Sequence, residues 1–460
     1  MPEFKPTIES LQAYRCPDWF RDAKFGIYLH WGVYSVVERG EWYARRMYMQ
    51  GTPEYEHHVQ TYGHPSQYGY KEFVPQWKAE CFDPDRLVGL FKRAGARYFC
   101  PCAVHHDNFD LWNSRHHRWN AVEMGPRQDI TGLWREAALR KGLRFGVTTH
   151  LARSYSWFNV SKGADHEGPL AGVPYDGADP RYADFYHEPH DDTDLRHPLN
   201  PSEAWRKTWA ARIIDLVDAY QPDHLYFDGA LPFQGDDGYR TGMEVVAHYY
   251  NQSVRKYGRQ QCVMCLKDVP DHGLYVPGIA TLDLERKRAE TALPEPWQTD
   301  TSIGPWGYNA LRPYRSVVEI VHELVDIVSK NGNMLLNVPP KADGTLDQET
   351  ERILANIGRW LDVNGEAIYG TRPWRVAAED EVRYTSKGNA LYAITLGWPG
   401  TSVVLRSLGE AQAGDARVQA VSMLGSRETL LWSRDAKGLT IQAPNEKPCP
   451  YAYAFKIVLT

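Results

Sequence analysis

The sequence predicts an α/β protein: a (β/α)8-type barrel with some irregular elements, followed by a C-terminal β-sandwich domain. Three observations predict it. Short apolar runs alternate with amphipathic helical stretches over roughly the first 340 residues, as in a parallel sheet crossed by helices. Near residues 370–373 that alternation stops, and only short β-rich runs punctuated by Gly, Asn and Asp remain. The length of 460 residues exceeds what one compact core usually organises. The expected division is a barrel over residues 1–368 and an all-β sandwich over 369–460.

The elements follow in order. Residues 24–30 (KFGIYLH) read as a strand, and a long polar segment rich in Gly and Tyr follows. Residues 83–94 read as a helix with Asp83 as N-cap, Pro84 behind it and Gly95 at its end. Residues 97–104 form the next strand, 131–141 a helix closed by Gly142, and 143–149 a strand. Residues 205–220 are helical and lead through Gln221-Pro222 into a strand at 224–228. Strands are expected at 261–266, 279–284 and 334–338, with helices at 315–329 and 349–363. The helix at 315–329 is strongly periodic, with Val317, Val318, Val321, Leu324, Val325 and Val328 expected on one stripe. Beyond the texture change, β-runs fall at 390–396, Ser402–Leu405, Val418–Met423 and 451–457.

Composition narrows the function classes. Apolar residues are 43% and charged residues 24% of the chain, which is ordinary for a globular protein. No apolar run approaches the roughly 18–20 residues of a membrane span. The opening Met1-Pro-Glu-Phe-Lys-Pro lacks a basic stretch followed by an apolar one, so a cytoplasmic location is expected. A net charge of −6 without a basic stripe argues against nucleic acid as a partner. Seven cysteines do not make a disulfide framework. Cys100-Pro-Cys102 and Cys262-Val-Met-Cys265 lie in apolar runs and read as buried thiols rather than metal ligands. The 16 Trp and 28 Tyr suit the C–H faces of sugars, though an aromatic-filled core explains them equally well.

The polar residues fall in one telling place. In a parallel barrel, catalytic groups sit at the C-terminal ends of the strands. His30 closes the first strand, His105-His106-Asp107 follow the second and His150 follows the third. Asp228 closes HLYFD, Lys267-Asp268 follow CVMCL and Glu285 follows ATLDL. Burying so many ionisable groups unpaired would cost several kcal/mol each, so they are expected to converge on one polar pocket. An Asp, a Glu, several His and many aromatics, with no metal set, fit glycoside hydrolysis, which needs two carboxyl groups. Asp228 is the nucleophile candidate, with Gly229 after it allowing close approach of substrate; as a plain strand-end residue it would instead cap the next helix. Glu285 is the acid/base candidate, with Glu290 and Glu295 as rivals in the same charged loop.

These segments resemble the α-L-fucosidases of glycoside hydrolase family 29. The resemblance is carried by Lys24-Phe-Gly-Ile-Tyr-Leu-His30-Trp-Gly-Val-Tyr-Ser35 with Glu41-Trp42-Tyr43, and by His105-His106-Asp107 with Leu111-Trp112-Asn113-Ser114. Gln221-Pro-Asp-His-Leu-Tyr-Phe-Asp228-Gly229, Trp297-Gln-Thr-Asp-Thr-Ser-Ile-Gly304 and Trp306-Gly-Tyr308-Asn309 continue it. Asn333-Met-Leu-Leu-Asn337-Val-Pro-Pro and Gly365-Glu-Ala-Ile-Tyr-Gly370 complete it. The resemblance implies a retaining exo-α-L-fucosidase acting on fucosylated oligosaccharides or glycoconjugates, with no cofactor and no metal. Asp228 would be the nucleophile and Glu285 the acid/base. His30, Glu41, Trp42, His105 and His106 would contact the sugar hydroxyls, and Tyr226 and Trp306 would surround the sugar. His150 stands where relatives carry tyrosines, and Lys267 where some carry an arginine, so both are expected at substrate.

Two other classes compete. One is a fucose-binding protein without chemistry, or a hydrolase of a related L-sugar such as an α-L-galactoside. The other is a metal-dependent hydrolase, for which the one helical pair, Glu319 and His322, is a weak signal because such motifs act in pairs. Linkage preference is not legible, and the sequence leaves room for a homo-oligomer.

Overall fold

The computed structural model describes residues 3–195, 197–269, 273–410 and 417–460. Eight parallel strands close into a barrel in sequence order. They are β1 (Phe25–Leu29), β2 (Tyr98–Val104), β3 (Arg144–Thr149), β4 (His224–Phe227), β5 (Val263–Lys267), β6 (Thr281–Asp283), β7 (Trp297–Ser302) and β8 (Gly332–Asn337). Register between β1 and β8, with Phe25 opposite Met334 and Tyr28 opposite Asn337, seals the sheet.

Side chains alternate across a strand, and each strand accordingly sorts its residues into two sets. Ile27, Phe99, Leu225, Phe227, Met264 and Leu336 point outward into the core shared with the helices. Tyr28, Tyr98, Cys100, Cys102, Tyr226, Cys265 and Leu335 form a separate cluster that fills the barrel interior. Gly26 has no side chain because the Tyr98 ring occupies that space; a Cβ there would lie 2.4 Å from the ring. Cys100, Cys102, Cys262 and Cys265 are buried free thiols, as expected of apolar strands.

Helices cover the barrel. Asp83 caps Pro84–Arg93 by accepting the Arg86 amide at 2.9 Å. Ser316 and Glu319 form a reciprocal capping box on Val317–Ser329. Glu319 is thereby engaged in the cap, and His322 Nε2 meets the Tyr451 carbonyl at 3.1 Å, so this pair serves helix and packing. Among the elements outside the sequence expectation are β7 and the helix Arg240–Tyr257. The buried side of that helix is partly polar. Asn251 exchanges two hydrogen bonds of 2.8 Å with the Phe4 backbone, and Gln252 donates to the Val217 carbonyl at 2.8 Å. Its apolar periodicity is diluted accordingly.

After the barrel come β9 (Arg372–Glu379), β10 (Val382–Lys387), β11 (Ala390–Thr395), β12 (Ser402–Leu405), β13 (Val418–Met423), β14 (Trp432–Asp435), β15 (Gly438–Gln442) and β16 (Tyr453–Leu459). They build a five-stranded antiparallel sheet, β13-β16-β11-β10-β9, and a three-stranded sheet, β12-β15-β14. Leu391 and Ala393 on one face of β11 pack with Leu405, Leu439 and Ile441 between the two sheets. Ala390, Tyr392 and Ile394 on its other face join the barrel's core. The sandwich is therefore docked through β11, which is buried on both faces. No described helix is long and apolar enough to cross a membrane.

The junction also carries charge. Asp326, buried on Val317–Ser329, accepts from Arg383 Nε at 2.5 Å and from Lys330 Nζ at 2.9 Å. Burial alone would raise its carboxyl, but Lys330 and Arg383 outweigh this and hold it below the ordinary range. A depressed carboxylate contributes stability that is present above its unfolded value, near 3.9, and is lost as pH falls through the folded one. Asp326→Asn should cost about 3 kcal/mol at neutral pH, because two cations lose their buried partner. The shift of the denaturant midpoint measures this, and the loss should shrink at low pH.

Candidate active site

Strand β4 carries His224, Tyr226 and, just past its end, Asp228 at every second position, so all three face the barrel axis. His224 lies deepest, with Nε2 3.0 Å from Gln298 Oε1. Asp228 emerges at the C-terminal mouth. There His30, Glu41, Trp42, His105, His106, His150, Asp228, Glu285 and Trp306 line one pocket together with Arg153 and Asp300.

Asp228 is 10% exposed and surrounded by positive groups and ring nitrogens. Lys267 Nζ, at the end of β5, donates to its Oδ1. Its Oδ2 lies 3.1 Å from His150 Nδ1, 3.4 Å from His106 Nε2 and 3.6 Å from an Arg153 guanidinium nitrogen. Burial alone would raise this carboxyl, but Lys267, then His150 and Arg153, hold it well below the usual carboxylate range. The group is therefore ionised at neutral pH and ready to act as a nucleophile. Lys267 Nζ also donates to Glu285 Oε2 at 2.7 Å. Two hydrogen bonds of about 3 Å from one nitrogen leave the two carboxyl oxygens no more than about 6 Å apart.

Hydrogen bonds fix the histidine rings. Asn337 Oδ1 accepts from His30 Nδ1 at 2.9 Å, which leaves His30 Nε2 as an acceptor. The His150 carbonyl accepts from His106 Nδ1 at 2.9 Å, so His106 Nε2 is likewise bare. The Tyr28 hydroxyl is 2.7 Å from His150 Nε2 and donates to it, which places the His150 proton on Nδ1, facing Asp228. Burial holds His30 and His105 well below the ordinary histidine range and brings His106 down to about 3. These three rings are neutral, and bare nitrogens beside a carboxylate ask for donors such as sugar hydroxyls. Glu41 Oε2 accepts the Gly307 amide at 2.8 Å, and the Trp306 ring sits 5.1 Å from that of His30.

Below this layer lies a carboxyl pair. The Tyr226 hydroxyl donates to Asp300 Oδ2 at 3.1 Å, and Gln298 Nε2 donates to Asp283 Oδ2 at 2.7 Å. The remaining oxygen of each, Oδ1, is buried and has no other partner. Burial, then the charge of Asp300, pushes Asp283 well above the ordinary range, so Asp283 holds the proton that the pair shares. Asp300 thereby keeps a negative charge close to Lys267, whose ammonium is stabilised by Asp228 and then Asp300 against the effect of burial.

Of the residues expected at the site, nine line the pocket and two do not. Tyr226 is fully buried beneath the floor, committed to Asp300, and is not an aromatic wall around the pocket. Lys267 lies behind Asp228 and Glu285 as their bridge. Gly229 also differs from expectation: a Cβ there would strike the His197 ring at 1.8 Å, so the glycine admits a side chain rather than substrate. Asp228 does not cap the next helix, whose N-cap is Tyr239. Glu290 and Glu295 are exposed and off the pocket, and Glu295 precedes β7 at the opposite end of the barrel. Arg153, Asp300 and Asn337 are functional candidates beyond the sequence expectation. Arg153 was legible only as a cation four residues past a strand end, and Asp300 and Asn337 as polar residues inside strands. Two trios could offer ligand atoms to a metal, His30 with His105 and His150, and His106 with His150 and Asp228. Both rely on His150, whose nitrogens already face Tyr28 and Asp228.

A family model described as alpha-L-fucosidase matches residues 1–366, and one described as the alpha-L-fucosidase C-terminal domain matches residues 377–458. The chain belongs to the α-L-fucosidase family. Human tissue α-L-fucosidase is 32% identical over 478 residues, spanning 99% of this chain and 92% of that protein. Human plasma α-L-fucosidase is 30% identical, again over 99% and 92%. The Thermotoga maritima α-fucosidase solved in complex with fucose superimposes with a TM-score of 0.78 at 30% identity, covering 99% of this chain and 100% of that one. The T. maritima enzyme has also been solved with a mechanism-based inhibitor, at a TM-score of 0.79 and 29% identity, over 99% and 100% of the chains. The protein is thus a glycoside hydrolase, an α-L-fucosidase.

Removing the main cation beside Asp228 should be visible in the fucosidase's pH dependence. In Lys267→Met the Asp228 carboxyl rises toward its ordinary value, so its ionised form is lost at higher pH. The acid limb of kcat/KM on an aryl α-L-fucoside should move up by about one pH unit or more. An unmoved limb would show that Lys267 does not control this carboxylate.

Proposed function

We propose that the fucosidase is a retaining exo-enzyme that releases terminal α-L-fucose from fucosylated oligosaccharides or glycoconjugates through a covalent fucosyl-enzyme. The observation that carries this reading is the Lys267 bridge, which keeps Asp228 and Glu285 close. A limit of about 6 Å between their oxygens suits the roughly 5–5.5 Å of retaining glycosidases, not the roughly 6.5–9.5 Å that lets water sit between the carboxyls of inverting ones.

In the first step Asp228 attacks the anomeric carbon as the bond to the aglycone oxygen breaks, and Glu285 gives that oxygen its proton. In the second, Glu285 takes a proton from water, which attacks the anomeric carbon and frees Asp228. His30, His105 and His106 offer acceptor nitrogens to the fucose hydroxyls, and Glu41 adds a carboxylate. Trp42 and Trp306 supply flat apolar surface for the C–H faces and the methyl group.

Asp228→Ala should lower kcat/KM on an aryl α-L-fucoside by about 10³-fold or more, and azide should restore turnover with β-fucosyl azide as product. Proton NMR of the wild-type reaction should show α-L-fucose as the first-formed anomer. β-L-Fucose appearing first would replace the retaining mechanism by an inverting one.

A further inference from the structure

Beside the fucose pocket lies a second cavity of about 440 Å³ that shares Glu41, Trp42 and Trp306 with it. Five arginines line it: Arg39, Arg46, Arg286, Arg312 and Arg315. Its acidic residues are Glu41 and Glu54, so the groove carries a net +3 in a chain whose overall charge is −6. Two of the arginines are neutralised, Arg46 by Glu54 at 3.0 Å and Arg315 by Glu323 at 2.7 Å. The other three have no carboxylate partner among the described residues. Arg39 reaches only the neutral acceptor His57 Nδ1, at 3.2 Å. Arg286 donates to the Gly304 carbonyl at 3.1 Å and lies over the Trp306 ring, 4.4 Å from its centroid. Arg312 is exposed, and its guanidinium makes no hydrogen bond or ion pair among the described residues.

The position of this groove gives the charge a use. Arg286 directly follows Glu285, the residue assigned to protonate the leaving oxygen, so the groove begins where the aglycone must lie. Its volume can take a sugar ring, and the Trp306 indole forms a wall common to both cavities. Guanidinium forks match the planar oxygen pairs of carboxylates and the oxygens of sulfate esters, whereas a neutral hexose needs no such excess of cation.

We propose that this groove is an aglycone subsite for acidic glycans, in which the sugar that carries the fucose, or its neighbour, bears a carboxylate or a sulfate ester. The inference rests on the fucosidase acting at the adjoining pocket. The closing experiment compares kcat/KM on three matched fucosyl disaccharides, in the linkage cleaved fastest, whose second sugar is galactose, galacturonate or galactose 6-sulfate. At low salt one or both acidic substrates should exceed the neutral one by about tenfold or more, and the arm that does so identifies carboxylate or sulfate. The advantage should fall toward parity in about 0.5 M salt. In R39Q/R312Q it should disappear while an aryl α-L-fucoside is turned over within about twofold of wild type, as expected for surface charge remote from the bond cleaved. The salt titration on wild type supports or refutes the point even if the double variant folds poorly. Equal rates on all three disaccharides, or faster cleavage of the neutral one, would overturn the subsite while leaving the fucosidase reading in place. No turnover of the aryl fucoside by wild type would overturn both.

Discussion

A carboxylate that is nearly out of water stays ionised only where positive charge and hydrogen-bond donors replace its hydration. Asp228 meets that condition from two strand ends at once: Lys267 from β5, and His150 and Arg153 from the segment after β3. No single strand or helix could supply all of these. They reach one point only because the sheet closes and brings the carboxyl ends of its strands around a common axis. The layer beneath completes the balance. Asp300 faces Lys267, and Asp283 takes up the proton that two adjacent buried carboxyls cannot both release. The closed barrel and the ionised Asp228 carboxylate are thus one physical requirement seen at two scales.

The same closure explains how the pocket and its surroundings divide the work. Side chains that project into the barrel end in a small polar cup lined by imidazoles and carboxylates. The loops after β1, β6 and β7 build the cationic groove at its rim. The sandwich takes no part in either cavity. It closes one flank of the barrel through β11 and the charged junction around Asp326.

Much of this was legible in the sequence where strands are apolar on both faces. β1, β2, β4, β5 and β8 stand out as short hydrophobic runs, and their terminal His, Asp and Lys mark the mouth of the barrel. β7 was not legible because its inward positions are Gln298, Asp300 and Ser302, so that WQTDTS looks like loop. Its polarity is the interior chemistry of the site, which composition alone cannot distinguish from solvation. Asp300 was hidden with it, and Asn337 was hidden in β8 among apolar neighbours. Arg153 was missed for another reason: it stands on the helix Leu151–Trp157, beyond any strand end, and reaches back to Asp228. Tyr226 and Gly229 were placed at the sugar by resemblance and by residue type, but packing assigns them to Asp300 and His197. Residue type signals what a side chain can do, and only the fold decides which neighbour receives it.

The most direct test of Asp228 as the attacking group is to trap it. The wild-type enzyme would be inactivated with a 2-deoxy-2-fluoro-α-L-fucosyl fluoride, whose second fluorine slows breakdown of a covalent intermediate, then digested and mapped by mass spectrometry. The fluorofucosyl group should be found on the peptide containing Asp228, attached to that carboxylate, with one label per chain. A label on Glu285 or Asp300, or complete turnover under these conditions with 2-deoxy-2-fluoro-β-L-fucose as the first-formed product, would contradict the assignment of the nucleophile.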